Sequence, residues 1–159
     1  MYPQTHFLFS FLIGLIFVSL GIGGINYQTA ILIGLAGMLI DIDHFIVYII
    51  RYKYKDFSVK HAFNRAVTGL YKGRSFIHHQ IGFLIMTLII LRLYTINLNW
   101  FYIIGLGYYS HMFLDYAHLN ILKIKGDMKI KEAGFIEKIS KFEIMLDIFL
   151  VLGILLLMI

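Results

Sequence analysis

The chain has 159 residues, of which 60% are hydrophobic, 16% aromatic and only 14% charged, with a mean hydropathy of +0.81. Soluble domains are about 45–50% apolar and about 25% charged, so this composition excludes an ordinary soluble domain, and its aromatic content excludes a disordered chain. The absence of cysteine excludes a disulfide scaffold, a thiolate metal site and a cysteine nucleophile, so any metal must be held by nitrogen and oxygen.

A hydrocarbon core of about 30 Å takes roughly 20 helical residues to cross. Five apolar runs approach that length, at about 7–24, 27–50, 76–96, 98–119 and 142–159. The expected fold is therefore all-α, a polytopic membrane bundle of about five transmembrane helices in a single domain spanning 1–159. The first run is preceded by no Lys or Arg and followed by no small-residue cleavage site, so it reads as a retained helix rather than a signal peptide. Gly21, Gly23, Gly24 and Asn26 predict a tight turn into the second helix. Arg92 interrupts the third run near its end, where an arginine can snorkel to the interface, and Trp100 and Tyr102 beside it suit an aromatic belt.

The basic residues define a topology. Seven lie between the second and third runs (Arg51, Lys53, Lys55, Lys60, Arg65, Lys72, Arg74) and six between the fourth and fifth (Lys123, Lys125, Lys129, Lys131, Lys138, Lys141). Cytoplasmic loops accumulate Lys and Arg, so loops 51–75 and 120–141 are expected inside, with the N-terminus cytoplasmic and the C-terminus outside. The net charge of +5 then favours membrane lipids with anionic headgroups as partners, with no nucleic acid predicted; each basic residue near such a surface contributes about 1 kcal/mol.

Ionisable groups in membrane helices cost several kcal/mol unless paired, ligated or hydrated. Five of the nine acids (Asp41, Asp43, Asp115, Glu143, Asp147) and six of the seven histidines (His6, His44, His78, His79, His111, His118) lie in or at the edges of the apolar runs. In the predicted topology all of them fall in the cytoplasmic half. His111 and Asp115 are four apart and His118 seven from His111, so a continuous helix places all three on one face; Asp41 and His44 share a face in the second helix. Imidazole and carboxylate together suit a divalent metal, zinc first, with Mn, Fe or Mg as alternatives, and two carboxylates can bridge a pair of metals. The expected ligand pool is His6, Asp41, Asp43, His44, His78, His111 and Asp115, with Glu143 or His79 as catalytic base or outer group and Arg74 binding an anionic substrate group. Asp147 is a candidate outer group. Taken singly, an intramembrane histidine is more often an interhelical hydrogen-bonding group than a ligand; it is the coincidence of depth across four helices that favours a shared site. Tyr48, Tyr108 and Tyr109 read as packing or interface residues.

Taken in order, Thr5-His6 opening the first helix, Asp41-Ile42-Asp43-His44, Arg74 with His78 before the third helix, and Gly107-Tyr108-Tyr109-Ser110-His111-Met112-Phe113-Leu114-Asp115 in the fourth resemble the YdjM-like family of inner-membrane proteins. The resemblance spans about residues 5 to 120. It implies location in the cell (inner) membrane, multi-pass, and a metal-dependent hydrolase, without naming a substrate. Two positions differ from the family pattern: Ile40 stands where a proline commonly precedes DxDH, and Gly73-Arg74 where an HR pair opens the third motif. A more distant likeness in spacing and residue type, including an HxxxD pair, connects the chain to zinc-dependent phospholipase C and P1-type nucleases, which implies phosphoester hydrolysis. The rival readings of the same residues are a metal or proton transporter and a non-catalytic bundle stapled by a structural metal. Polar groups are almost absent from the outer half of the helices, which disfavours conduction.

Overall fold

The computed structural model describes residues 3–42, 46, 76–125 and 141–159, with the side chains of 118–125 and 141 excepted. Five α-helices are present among them: α1 (Pro3–Ser19), α2 (Tyr27–Leu39), α3 (Gln80–Ile96), α4 (Leu98–Lys125) and α5 (Lys141–Met158), with a 3-10 turn at Ile22–Gly24. No strand occurs among the described residues.

The helix ends follow local chemistry. α1 starts at Pro3, four residues before the apolar run, because a proline in the first turn lacks only an N–H that would have no helical partner. It stops at Ser19, short of the expected residue 24, since Gly21 and Gly23 adopt left-handed φ of 65° and 70° that only glycine takes without strain. The side chain of Asn26 caps α2 by accepting from the Thr29 N–H at 2.9 Å. α3 begins at Gln80 rather than 76, because residues 76–79 form a turn in which the Phe76 carbonyl accepts from the His79 N–H at 3.1 Å. Arg92 does not interrupt α3, which runs through it to Ile96.

Among the described residues, no helix is long and apolar enough to cross a membrane. α1 and α3 have 17 residues and α2 has 13, while α5 carries Lys141, Glu143 and Asp147 in its first two turns. Residues 43–45 and 47–50 of the second predicted crossing lie outside the described residues. The bundle nonetheless buries several polar groups and exposes large apolar side chains. Thr5, His6, Ser10, Ser110, His111 and Glu143 are buried, whereas Leu84, Phe149 and Leu156 are 60–76% exposed. Exposed apolar surface of this extent is foreign to a soluble monomer.

Small residues let the backbones meet. A Cβ on Gly37 would strike the Ser10 side chain of α1, and one on Gly107 would lie 2.7 Å from Ala36 Cβ and 3.0 Å from the Gly37 nitrogen. Such close crossings give helices dispersion contact where lipid removes the hydrophobic drive between them. Below this crossing, Leu15, Ala30 and Ile154 join α1, α2 and α5 in one apolar core, and Ile25, Ile33 and Ile103 join α2 to α4 in another.

Candidate metal centre

The Ser10, Gly37 and Gly107 crossing sets the site. One turn beyond it toward the same end of the bundle, α1 presents His6, the turn just past α2 presents Asp41 and α4 presents His111, with Asp115 one turn further. Ser10 and Ser110 hydroxyls lie 2.6 Å apart at that level, locking α1 to α4. Ile40 keeps helical dihedrals (φ −59°, ψ −35°), so Asp41 remains in register with Gly37 although α2 ends at Leu39.

Asp41, His78, His111 and Asp115 each offer one ligand atom, and all four atoms lie within 4.8 Å of one another. The Nε2 atoms of His78 and His111 are 3.0 Å apart. His111 Nε2 is 3.4 Å from Asp41 Oδ1 and 3.6 Å from Asp115 Oδ2; His78 Nε2 is 3.4 Å from Asp115 Oδ2 and 3.9 Å from Asp41 Oδ1. Ligand bonds of about 2.0–2.2 Å around a tetrahedral ion place donors roughly 3.3–3.6 Å apart, so most of these separations match a coordination shell. His6 adjoins the four, with Nε2 3.3 Å from Asp115 Oδ1 and 3.9 Å from Asp41 Oδ2.

The surroundings orient the imidazoles. His111 Nδ1 donates to the Gly37 carbonyl at 2.8 Å; a carbonyl only accepts, so the proton sits on Nδ1 and, in the neutral ring, Nε2 turns its lone pair to the cluster. The His6 and His111 rings stack with centroids 3.9 Å apart and planes at 21°. His6 is wholly buried; its Nδ1 has no hydrogen-bond partner, and its Nε2 meets only the Asp115 and Asp41 carboxylates, as ion-pair neighbours. A cation among these carboxylates would give His6 Nε2 a ligand bond in place of those contacts. The carboxylates form the accessible side of the cluster: the Asp41 and Asp115 side chains are 18% and 25% exposed, against 8% or less for the three histidines.

Of the remaining predicted residues, Glu143 is buried and accepts from Thr5 Oγ1 at 3.0 Å, which holds it beside the His6 turn of α1 but outside the four mutually close donors. His79 is exposed and not brought to the cluster. It caps α3 instead, its Nδ1 accepting from the Ile81 N–H at 3.4 Å. Asp147 Oδ1 is buried without a hydrogen-bond partner. Asp43, His44 and Arg74 lie outside the described residues, as does the side chain of His118.

Some positioning groups carry little signal in sequence. Tyr108 is buried as a packing residue should be, but its hydroxyl also donates to the Ile77 carbonyl at 3.1 Å, tying down the residue before His78. Ser10 signals itself only as a hydroxyl in an apolar run one turn after His6. A cleft of about 380 Å³ lined by apolar groups including Leu32, Leu35, Ile40, Met86, Trp100 and Tyr108 runs between α2, α3 and α4. Its lining reaches Ile40, the neighbour of Asp41.

Fold and site together define a class: an all-α bundle with a His/Asp group at one end that could hold a metal ion. The family model described as YdjM inner membrane protein matches residues 1–120, and the chain belongs to that family, which places it in the inner membrane. No match emerged from comparison with curated proteins or with solved structures.

Proposed function

We propose that the chain is a multi-pass membrane hydrolase that uses a divalent metal, zinc first, at its cytoplasmic end to cleave a phosphoester or a lipid-derived ester. The observation that carries this reading is the convergence of Asp41, His78, His111 and Asp115 within 4.8 Å, with the buried His6 beside them. A bound metal there supplies water activation toward neutral pH and stabilisation of developing negative charge. The chain supplies the rest. His111 keeps a fixed tautomer through Gly37, and His78 is steadied through Tyr108 and Ile77. Glu143, held by Thr5, is the proton-accepting group or orients one. Arg74 and the basic loops 51–75 and 120–141 receive an anionic headgroup, while the cleft beside Ile40 suits an apolar tail.

A structural metal is the second reading, because four protein donors are enough to close a tetrahedral site. The partial exposure of the two carboxylates favours the hydrolase. Metal analysis of detergent-purified protein, followed by a panel of phosphoester and lipid-ester substrates with and without chelator, tests both. Chelator-sensitive turnover that Asp115→Ala abolishes supports the hydrolase. Stoichiometric metal with no turnover on either substrate class supports the staple, and protein without metal overturns both.

A further inference from the structure

The two carboxylates do not face a single point. Asp41 directs Oδ1 to His111 and His78, at 3.4 and 3.9 Å, and Oδ2 to His6 at 3.9 Å. Asp115 repeats the division, with Oδ2 at 3.4 and 3.6 Å from His78 and His111 and Oδ1 at 3.3 Å from His6. Each carboxylate therefore spans from the His78 and His111 pair on one side to His6 on the other. His6 and His111 stack nearly parallel, 3.9 Å between centroids, and both aim Nε2 at the same two carboxylates. With the proton of each ring on Nδ1, as Gly37 fixes it for His111, the two Nε2 lone pairs would point to adjacent positions separated by about the ring spacing, which is also the separation of about 3.5–4 Å typical of two-metal sites.

We infer that the cluster is a two-ion site bridged by Asp41 and Asp115. His78, His111, Asp41 Oδ1 and Asp115 Oδ2 surround the first position, and His6 Nε2, Asp41 Oδ2 and Asp115 Oδ1 surround the second. This rests on the reading of the cluster as a metal site and assigns its count and its unequal halves. Among the described residues the first position has four protein donors, the number of a closed tetrahedral site, and the second has three, the number that leaves a place for water or substrate. The second position also gives His6 Nε2, buried beside the two carboxylates with no hydrogen bond of its own, a ligand role.

The test counts ions rather than turnover. Full-length protein in detergent is stripped with chelator and reloaded with zinc or, separately, with manganese, and bound metal per chain is measured alongside the electron paramagnetic resonance of the manganese form. The wild type should take up two ions and show an exchange-coupled manganese signal. His6→Gln, which keeps a polar side chain of similar reach, should bind one and show an isolated six-line signal. A wild type holding one ion, whether or not His6→Gln retains it, overturns the two-ion inference and leaves the metal site standing; a wild type holding none overturns the metal reading as well. Should His6→Gln fail to fold, the wild-type stoichiometry and spin coupling decide the matter alone.

Discussion

His111 and the Gly37 carbonyl are joined by a hydrogen bond of 2.8 Å across the α2 and α4 crossing. The same glycine that lets the helices approach thus also sets the tautomer of a candidate ligand, so packing and site chemistry share one contact. His111→Ala removes the donor and leaves a buried carbonyl unpaired, at about 1–3 kcal/mol. Thermal unfolding in detergent should therefore show a lower Tm for the variant even in chelator, and a larger difference from wild type once metal is added. Equal Tm values in chelator would contradict the structural half of this role.

The adjacent histidines should separate cleanly. His78→Ala removes one of the four close donors and should lower metal affinity more than 10-fold, since even partners outside the coordination shell contribute 10–100-fold. His79→Ala should retain wild-type metal content and lose only an α3 cap, about 0.5–1 kcal/mol. Titration with a competing chelator measures both.

Gly107→Ala places a methyl against the backbone of Gly37 and the Ala36 side chain, and overpacking of this kind costs about 1–3 kcal/mol. At Gly153 the new Cβ would meet only Leu12 at 3.4 and 3.6 Å, an ordinary contact. Gly153→Ala should be neutral or slightly stabilising through helix propensity. Parallel melting curves test the ranking, which a tolerated Gly107→Ala would reverse.

The hydrogen bond from Thr5 to Glu143 ties the start of α1 to the start of α5. Thr5→Val keeps shape but deprives a buried carboxylate of a donor, with an expected loss of about 1–3 kcal/mol. Thr5→Ser keeps the hydroxyl and should restore most of that stability. Equal melting temperatures for the two variants would remove the hydroxyl from the account.

With 13 of the 14 basic residues in loops 51–75 and 120–141, a reporter fused after Ile159 should behave as external and one before Met1 as cytoplasmic. A cytoplasmic reporter at Ile159 would overturn the five-crossing topology.

What was legible in sequence was whatever repeats at helical spacing or carries a cost in lipid. The all-α class followed from five apolar runs, and the residues of the cluster stood out because each is expensive where it sits. Their convergence is visible in the spacing only in retrospect: His6 and Ser10, Gly37 and Asp41, and Gly107 and His111 are three pairs four residues apart. The close approach of Gly37 to Gly107 is tertiary, and so is its consequence for His111. His79 could not be told from His78 by residue type, because a turn at 76–79, rather than a helix, decides which of the two faces inward. The 7–24 apolar run overshoots the end of α1 because hydropathy counts Gly21 and Gly23 as apolar, while the turn that these glycines and Asn26 predict is the one found.

The candidate ligands begin at residue 6 and finish at residue 115, with α1, α2, the turn before α3 and α4 all contributing. During synthesis no shorter stretch of chain can offer the complete set. On the proposed metal reading, the site would be complete only once α4 has docked against α1 and α2, since partial chains would hold only isolated histidines and carboxylates. Loading would then be a late event in assembly: a misassembled chain would remain metal-poor, and bound metal would distinguish completed molecules from arrested ones.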